Sequence, residues 1–323
     1  MRHEPAGPPP DLAPDLISQH PMAYLLGLQG IALFRAWNGE FDRAYADARI
    51  AEIRELLDAA EEIGAGVDVP AIPTVEAYDG WAPYYDGPRN LMLEREQVLV
   101  HEILDELPVG VALDVACGTG RHAAHLAGLG HTVIGTDISP VMLEVAREKL
   151  PDAELHLADM HALPIADASV DTVVTGLAVN HVPDLAPVFA ELARVLRPGG
   201  HLVVSDSRGL MEGARLYPMV FEDRDGKPGF MRSWVHRTTA YLHAALPLGL
   251  RVLSCEEVGR DVDMVDATGT ELIDDEPVER WTARDEPPSI WELHPWAPAA
   301  TNANFRGKPS CIVWHFRLEG PGS

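Results

Sequence analysis

The chain has 323 residues, which is enough for one large α/β domain or two smaller ones. Hydrophobic residues make up 46% and charged residues 23%, so the chain has a globular composition rather than that of a disordered protein. The formal net charge of −25 argues against nucleic acid and anionic membrane surfaces as partners, because contacts to phosphate groups draw on Lys and Arg.

The N-terminal residues 1–15 are rich in proline and contain no apolar run, so they do not read as a signal peptide. We expect them to form a disordered tail. The next apolar segment, 22–37, is interrupted by Gln29 and Arg35 and is shorter than the roughly 20 residues that a membrane span requires. We therefore expect a cytoplasmic protein without a membrane partner.

The three cysteines show neither a CxxC pair nor a Cys/His spacing that suits zinc, so no metal site is expected. Cys117 lies in a glycine-rich turn. Cys255 and Cys311 lie in late apolar runs and could face each other on adjacent strands. In a reducing cytosol, two buried free thiols are the simpler prediction.

Residues 16–75 are predicted to form a helical arm followed by a linker. Pro21 suits the first turn of a helix that Gly39 ends, and a second helix is expected over 41–63. Pro-containing residues 67–74 read as the linker. The arm would serve as a lid over an acceptor site or as a packing surface, including one between copies in a homo-oligomer, and both roles can hold together.

The central stretch of the chain is Val111–Asp137, VALDVACGTGRHAAHLAGLGHTVIGTD. A short apolar run leads into the Gly118-Thr119-Gly120 turn, a helical pattern follows, and a β-branched run ends at Asp137. Two glycines permit a sharp turn and a close approach of backbone N–H groups to a ligand. This pattern predicts one strand–turn–helix–strand unit of a parallel sheet.

Helices and strands continue to alternate after this unit. Ser139 is a good N-cap with Pro140 behind it, and strands are expected at 153–157, 170–175 and 202–205, with a turn at 197–200. Later strands are expected at 252–256 and 311–316, on either side of an insertion at about 257–309 that should contain some helix. The alternation predicts a doubly wound α/β sheet.

Three features distinguish this pattern from an NAD-binding fold. The turn lacks the third glycine of the dinucleotide fingerprint, Asp114 precedes the glycines, and a second acid, Asp159, follows the next strand. Together with Leu192–Gly200 and His201–Asp206, these residues resemble the class I S-adenosylmethionine-dependent methyltransferases, especially the ubiquinone/menaquinone-type branch and its natural-product relatives. The resemblance covers 77–207. It implies a Rossmann-like, doubly wound, seven-stranded sheet whose last strand is antiparallel, within a domain of residues 76–323.

The resemblance also implies a cofactor, S-adenosylmethionine, with S-adenosylhomocysteine as its product. It places aromatic residues of the segment 77–86 over the cofactor, where their faces suit a sulfonium cation. The cofactor-binding residues that it implies are Tyr78, Tyr85, Asp114, Ala116, Gly118, Thr119, Gly120, Asp137, Ile138, Asp159 and Met160.

No motif encodes the acceptor, whose site should lie beyond the carboxyl ends of strands four and five. The residues expected there are Trp81, Asn180, Asp206, Trp234, His236 and Tyr241. His181 is a candidate general base for an O–H or N–H group, with an ordinary pKa near 6.5, or it stacks on the cofactor without proton transfer.

The predicted function is methyl transfer (at carbon, nitrogen or oxygen) to a small, partly apolar molecule, such as an aromatic or indolic secondary metabolite. One alternative is a protein of the same fold that binds the cofactor without methylating, as a cyclase or binding module would. A more distant alternative is an NAD-dependent oxidoreductase.

Overall fold

A computed structural model describes residues 14–87, 91–209, 214, 216, 218–222, 225–259, 263–265 and 279–320. The expected tail at 1–15 lies mostly outside the described residues. Within the described part of the chain, no helix combines the length and the apolar character that crossing a membrane requires.

The N-terminal part of the chain is mainly helical and includes one small sheet. Its elements are β1 (Leu16–Gln19), α1 (Pro21–Trp37), α2 (Arg43–Asp58), α3 (Ala60–Ile63), β2 (Val67–Pro70), α4 (Thr74–Trp81), a 3₁₀ turn (Ala82–Tyr84) and α5 (Leu91–Asp105). The expected linker at 67–74 is therefore wrong in part, because β2 pairs antiparallel with β1. The single helix expected over 41–63 is divided at Ala59 into α2 and α3.

The central part alternates strands and helices as predicted. Its elements are β3 (Val111–Val115), α6 (Arg121–Gly128), β4 (Thr132–Asp137), α7 (Pro140–Lys149), β5 (Glu154–Leu157), β6 (Val170–Gly176), a 3₁₀ turn (Val179–His181), α8 (Leu185–Val195) and β7 (Leu196–Ser207). Ser139 caps α7 by accepting the N–H of Met142 at 3.0 Å. The turn expected at 197–200 lies within β7. The pairing of β7 with β6 skips these residues, since it passes from Leu196 directly to His201.

The C-terminal part completes the sheet. Its elements are β8 (Met219–Glu222), β9 (Pro228–Met231), α9 (Thr238–Ala245), a 3₁₀ turn (Leu246–Leu248), β10 (Leu250–Gly259), α10 (Ile290–Leu293), a 3₁₀ turn (His294–Trp296), α11 (Pro298–Phe305) and β11 (Pro309–Leu318). The antiparallel hairpin of β8 and β9 was not predicted.

The main sheet has seven strands in the order β10-β11-β7-β6-β3-β4-β5. Strands β3 to β7 run parallel, and β11 is antiparallel to both β7 and β10. This arrangement confirms the predicted Rossmann-like fold with an antiparallel last strand. The chain leaves β3 towards β4 on one side and later returns to β6 on the other, so the carboxyl edge between β3 and β6 is a switch point where such sheets bind ligands.

The arm and the insertion pack together. Leu25, Leu28 and Leu56 of the arm share an apolar cluster with Trp281 and Trp296 of the insertion. Trp281 Nε1 donates to the Ile63 carbonyl at 3.1 Å. Two segments predicted separately are thus one helical module beside the sheet.

The two late cysteines do not face each other. Cys255 pairs with Trp314 and Cys311 with Val258 in the β10–β11 ladder, so the two thiols lie at different register positions. Cys311 is buried as expected, but Cys255 is exposed, and the prediction of two buried thiols is wrong for it.

Candidate active site

A cleft lies at the carboxyl edge of the sheet, above the ends of β4, β5 and β6. Its cavity volume is about 180 Å³, and one side of it opens to solvent. Nine predicted site residues line it: Tyr78, Tyr85, Ala116, Gly118, Asp137, Ile138, Asp159, Met160 and His181. The other lining residues are Thr74, Met142, Ala158, His161, Gly176, Leu177, Ala178 and Val182.

The glycine turn forms one wall of the cleft. Gly118 has φ +54° and Gly120 has φ +83°, backbone conformations that favour glycine. Asp137 holds this turn, because its Oδ2 accepts the N–H of Gly118 at 2.8 Å while its Oδ1 accepts the N–H of Ser139 at 2.8 Å. Burial raises the pKa of Asp137, although these backbone hydrogen bonds act in the opposite direction.

Two non-glycine residues at the cleft adopt the left-handed region. Ala116, after β3, has φ +56°, and Leu177, after β6, has φ +53°. Such conformations cost about 1–3 kcal/mol and are concentrated at functional sites. Leu177 N–H is held by the Ser205 carbonyl and hydroxyl, both at 3.1 Å, which ties the end of β6 to β7.

Two side-chain hydrogen bonds hold the aromatic segment, which comprises α4 and the following 3₁₀ turn, over the glycine turn. Ser139 Oγ donates to Asp79 at 2.6 Å, and Thr119 Oγ1 donates to Asp86 at 2.8 Å. The Tyr85 ring lies 4.0 Å from the position that a Cβ on Gly118 would take. Thr119 thus contributes through this contact and not by lining the cleft.

His181 faces Tyr78 across the cleft. The hydroxyl of Tyr78 lies 2.8 Å from His181 Nε2, and His181 Nδ1 lies 3.2 Å from the Arg232 carbonyl. A carbonyl only accepts, so Nδ1 carries the proton, and Nε2 of the neutral ring accepts from Tyr78. Burial lowers the pKa of His181 to about 4 and raises that of Tyr78 well above its usual value.

Asp159 lies at the mouth of the cleft, with its side chain 62% exposed. Its Oδ1 accepts the N–H of His161 at 2.8 Å and contacts the His161 ring at 2.6 Å. Partial burial acts to raise the pKa of Asp159, but these hydrogen bonds outweigh it and leave that pKa below its ordinary value. His161 was not predicted, although its place directly after Asp159-Met160 could have indicated it.

Asp114 and Gly120 do not line the cleft. Asp114 is buried and accepts the N–H of Ala123 at 2.9 Å, which joins β3 to α6. Burial raises its pKa to about 6, against the opposing charge of His122. A Cβ at Gly120 would meet Leu150 at 2.9 Å, so this glycine permits close packing of the turn.

Most residues predicted to contact the acceptor lie behind the cleft. Asp206 is fully buried and accepts from the Tyr241 hydroxyl, and burial raises its pKa to about 7. These two residues therefore form a pair within the core, away from the cleft. Trp81 packs on Phe221 of the β8–β9 hairpin, with ring centroids 5.2 Å apart.

The remaining predicted residues support the loop that carries His181. Asn180 Nδ2 donates to Ser233 Oγ at 2.7 Å, and the Asn180 carbonyl accepts the N–H of Trp234 at 2.7 Å. His236 Nε2 donates to the Val179 carbonyl at 3.1 Å. These contacts hold the 3₁₀ turn 179–181 against the segment after β9, whose Arg232 carbonyl orients the His181 ring.

A buried charged cluster that the sequence did not indicate lies beneath the cleft floor. Glu96 contacts Arg121 at 2.7 Å and His122 at 3.1 Å, and it accepts from the Ser205 hydroxyl. Burial would raise the pKa of Glu96, but His122 and Arg121 lower it to about 2. A Cβ on Gly176 would lie 2.5 Å from His122 Nε2, so the cluster supports the cleft directly.

The cleft fits S-adenosylmethionine. Asp137 offers carboxylate oxygens beyond β4 for ribose hydroxyls, and Ile138, which is 40% exposed, offers an apolar face for an adenine. The rings of Tyr78 and Tyr85 suit a sulfonium cation. Among the described residues, no group of three or more His, Cys, Asp or Glu could hold a metal ion.

Comparisons with known proteins agree with this geometry. Residues 113–204 match the family model described as a methyltransferase domain. An uncharacterized 37.1 kDa protein in transposon TN4556 of Streptomyces fradiae is 43% identical over 163 residues, covering 47% of this chain and 46% of that protein. Methyltransferase GfsG of Streptomyces halstedii is 34% identical over 172 residues, covering 50% and 59%. Demethylmenaquinone methyltransferase of Renibacterium salmoninarum is 35% identical over 133 residues, covering 40% and 56%.

Solved structures share the fold. A methyltransferase from Clostridium acetobutylicum aligns with a TM-score of 0.51 and 15% identity, covering 75% of this chain and 99% of that one. The [4+2]-cyclase SpnF aligns with a TM-score of 0.51 and 19% identity, covering 78% and 99%.

The chain therefore carries a class I S-adenosylmethionine-dependent methyltransferase domain, which confirms the predicted class, and S-adenosylmethionine is the cofactor of that class. The chain spans about half the length of the curated relatives it matches.

Proposed function

We propose that this protein transfers a methyl group from S-adenosylmethionine to a small, partly apolar acceptor. The observation that carries the proposal is the cleft at the sheet's switch point, which brings together Gly118, Asp137 and the Tyr78–His181 pair. When bound, the cofactor supplies an activated methyl group on a sulfonium sulfur. The protein's contribution is mainly to hold both molecules in line, an effect of up to roughly 7–11 kcal/mol.

Each end of the cleft has its own role in this proposal. The ends of β4 and β5 hold the nucleoside through Asp137, Ile138 and Asp159, while the end of β6 faces the acceptor. The described residues that line that part of the cleft include Thr74, Leu177, Ala178 and Val182, which present apolar groups and one threonine hydroxyl. None of the described lining residues there carries a charged side chain. A partly apolar molecule from secondary metabolism fits these surroundings.

An aromatic or indolic acceptor is the more specific part of this proposal. Trp281 and Trp296 are buried in the helical module and do not line the cleft. Tyr78 and Tyr85 are the aromatic rings that face the cleft, and they also suit the cofactor. We propose an aromatic acceptor as the first class to assay, and an indole as one member of that class.

Two measurements test the proposal. Calorimetric titration should show binding of S-adenosylhomocysteine, and methyl-labelled S-adenosylmethionine incubated with cell extract should give a labelled small molecule. Binding without any labelled product would favour the alternative of a cofactor-binding protein that does not methylate; the fold similarity to SpnF is compatible with that alternative. Binding of NAD in place of S-adenosylhomocysteine would overturn both.

A further inference from the structure

Tyr78 lines the cleft beside His181 and occupies the basic nitrogen of that histidine. Its hydroxyl donates to Nε2 at 2.8 Å, and that nitrogen bears the lone pair with which His181 would act as a base. Direct attack by His181 on an acceptor proton would require this hydrogen bond to break. The hydroxyl oxygen of Tyr78, in contrast, keeps lone pairs with which it can accept a further hydrogen bond.

The position of His181 is determined on its other side as well. Nδ1 donates to the Arg232 carbonyl at 3.2 Å, which selects the tautomer whose Nε2 is unprotonated. The Arg232 guanidinium itself points away, pairing with Asp15 at 2.7 Å. The ring of Tyr78 meets that of His181 edge-on, with centroids 5.4 Å apart, and lies 6.1 Å from Tyr85. The geometry is that of a proton relay whose direction is fixed by the tautomer.

The charge distribution restricts the acceptor that such a relay can serve. The two carboxylates that line the cleft are occupied at its other end, where Asp137 accepts from Gly118 and Ser139, and Asp159 accepts from His161. The described lining at the end of β6 offers no carboxylate for an ammonium group and no Lys or Arg for an acid. A neutral group that gives up a proton suits these surroundings.

We propose that Tyr78 is a catalytic residue that accepts a proton from a neutral hydroxyl of the acceptor and passes its own proton to His181, so that the reaction is an O-methylation. This proposal rests on the proposed function. The acceptor oxygen forms the new O–CH₃ bond as the C–S bond breaks and its electron pair goes to sulfur. The acceptor proton moves to the Tyr78 oxygen, the Tyr78 proton moves to Nε2, and the resulting imidazolium later releases a proton to solvent.

The relay needs both residues, because neither of them can carry out the proton transfer alone. Burial keeps the Tyr78 hydroxyl protonated, so this residue cannot act as a base unless His181 takes its proton. His181 has the basic nitrogen, but the Tyr78 hydroxyl occupies that nitrogen, so the acceptor proton reaches it through Tyr78. Removal of either member should therefore lower the rate to a similar degree, and removal of both should cost little more.

The test uses the full chain, 2-naphthol as a neutral hydroxyl probe, and 2-naphthylmethylamine as a matched probe that is cationic at neutral pH. The variants are Tyr78→Phe, His181→Gln and the double variant, with Tyr84→Phe as control, since Tyr84 is exposed and outside the cleft. We expect methylation of 2-naphthol by the wild type. Each single variant should lose at least tenfold in kcat, with the dissociation constant of S-adenosylhomocysteine changed less than threefold.

A second readout does not depend on turnover. In the complex with S-adenosylhomocysteine, ¹⁵N NMR of the histidines should show His181 protonated at Nδ1, and Tyr78→Phe should shift its Nε2 resonance. Full activity of Tyr78→Phe, protonation of His181 at Nε2, preference for the amine, or no transfer to 2-naphthol would each overturn the relay. Failure of the wild type to bind S-adenosylhomocysteine would instead overturn the proposed function.

Discussion

The carboxylate of Asp137 accepts the backbone N–H of Gly118 at 2.8 Å, and this contact joins the end of β4 to the turn after β3. One side chain thus closes the glycine turn and faces the cleft. The same residue should therefore matter both for the shape of the site and for its affinity for a nucleoside.

We expect Asp137→Ala to weaken binding of S-adenosylhomocysteine by about 1.5–3 kcal/mol, since a charged acceptor of hydrogen bonds is lost. Calorimetric titration measures this directly. Asp68→Ala, on the exposed edge of β2, is a suitable control. A folded Asp137→Ala protein with wild-type affinity would remove the assignment of Asp137 as the nucleoside anchor.

Glu96→Gln should destabilise the protein at pH 7. The pKa of Glu96 is lowered from 4.5 to about 2, which corresponds to about 3 kcal/mol of stability for the charged form. Because this pKa is depressed in the folded state, the contribution is present above pH 4.5 and is lost as pH falls through about 2. Urea unfolding measures the free energy of unfolding of Glu96→Gln and of the exposed control Glu102→Gln. The difference between these two free energies should narrow below pH 4.5.

His294 should make the helical module sensitive to acid. It is buried against Tyr24, whose hydroxyl lies 2.9 Å from its Nε2, and burial lowers its pKa to about 3. The unfolded chain takes up a proton at this residue below about pH 6.5, while the folded chain does so only near pH 3. Stability is therefore lost as pH falls from 6.5, by about 2 kcal/mol at pH 5.

His294→Phe should reduce that loss between pH 7 and pH 5, even though it removes the partner of Tyr24. Urea unfolding at both pH values measures the effect. An exposed histidine, His243, provides the control as His243→Phe. An unchanged pH dependence in His294→Phe would mean that folding does not shift the pKa of His294.

Helix α1 offers a test of the predicted homo-oligomer. Gly30 lies within this helix, and a Cβ there would meet no atom within 4 Å. On the same outward side, Phe34 is 73% and Trp37 is 88% exposed. If solvent covers this side, Gly30→Ala should stabilise the protein by about 0.5–1 kcal/mol through helix propensity. If a second copy packs closely there, the added methyl group should instead weaken self-association, which light scattering would detect.

Local patterns were sufficient to predict the central unit. The apolar run before Gly118, the N-cap at Ser139 and the acid at Asp137 each act within a few residues, and the structure has all three where they were expected. The β1–β2 pair was missed because two four-residue strands about 50 residues apart carry no periodic signal.

The role of Asp206 shows that local sequence patterns were also insufficient to predict the site. An acid after a strand was a reasonable ligand candidate, but its partner Tyr241 lies 35 residues away and turns the pair into a buried hydrogen bond. The contact between Tyr78 and His181 spans 103 residues and could not be read from the sequence either. In both cases the fold, and not the local pattern, decides what the side chain meets.

The pH dependence of methylation should differ from that of an exposed histidine. An unperturbed histidine base would give an acid limb near pH 6.5. Burial lowers the pKa of His181 to about 4, although the hydrogen bond to the Arg232 carbonyl acts in the opposite direction. The basic form of His181 is needed, so kcat/KM should stay level as pH falls from 7 to 5 and decline near pH 4, provided that tryptophan fluorescence shows a folded protein at each pH.

His181→Asn should lower the rate about 10²–10⁴-fold and abolish this acid limb, because it retains a polar contact but no base. An acid limb that persists in His181→Asn, together with a nearly normal rate, would assign the titration to another group and leave alignment of the two molecules as the main source of catalysis.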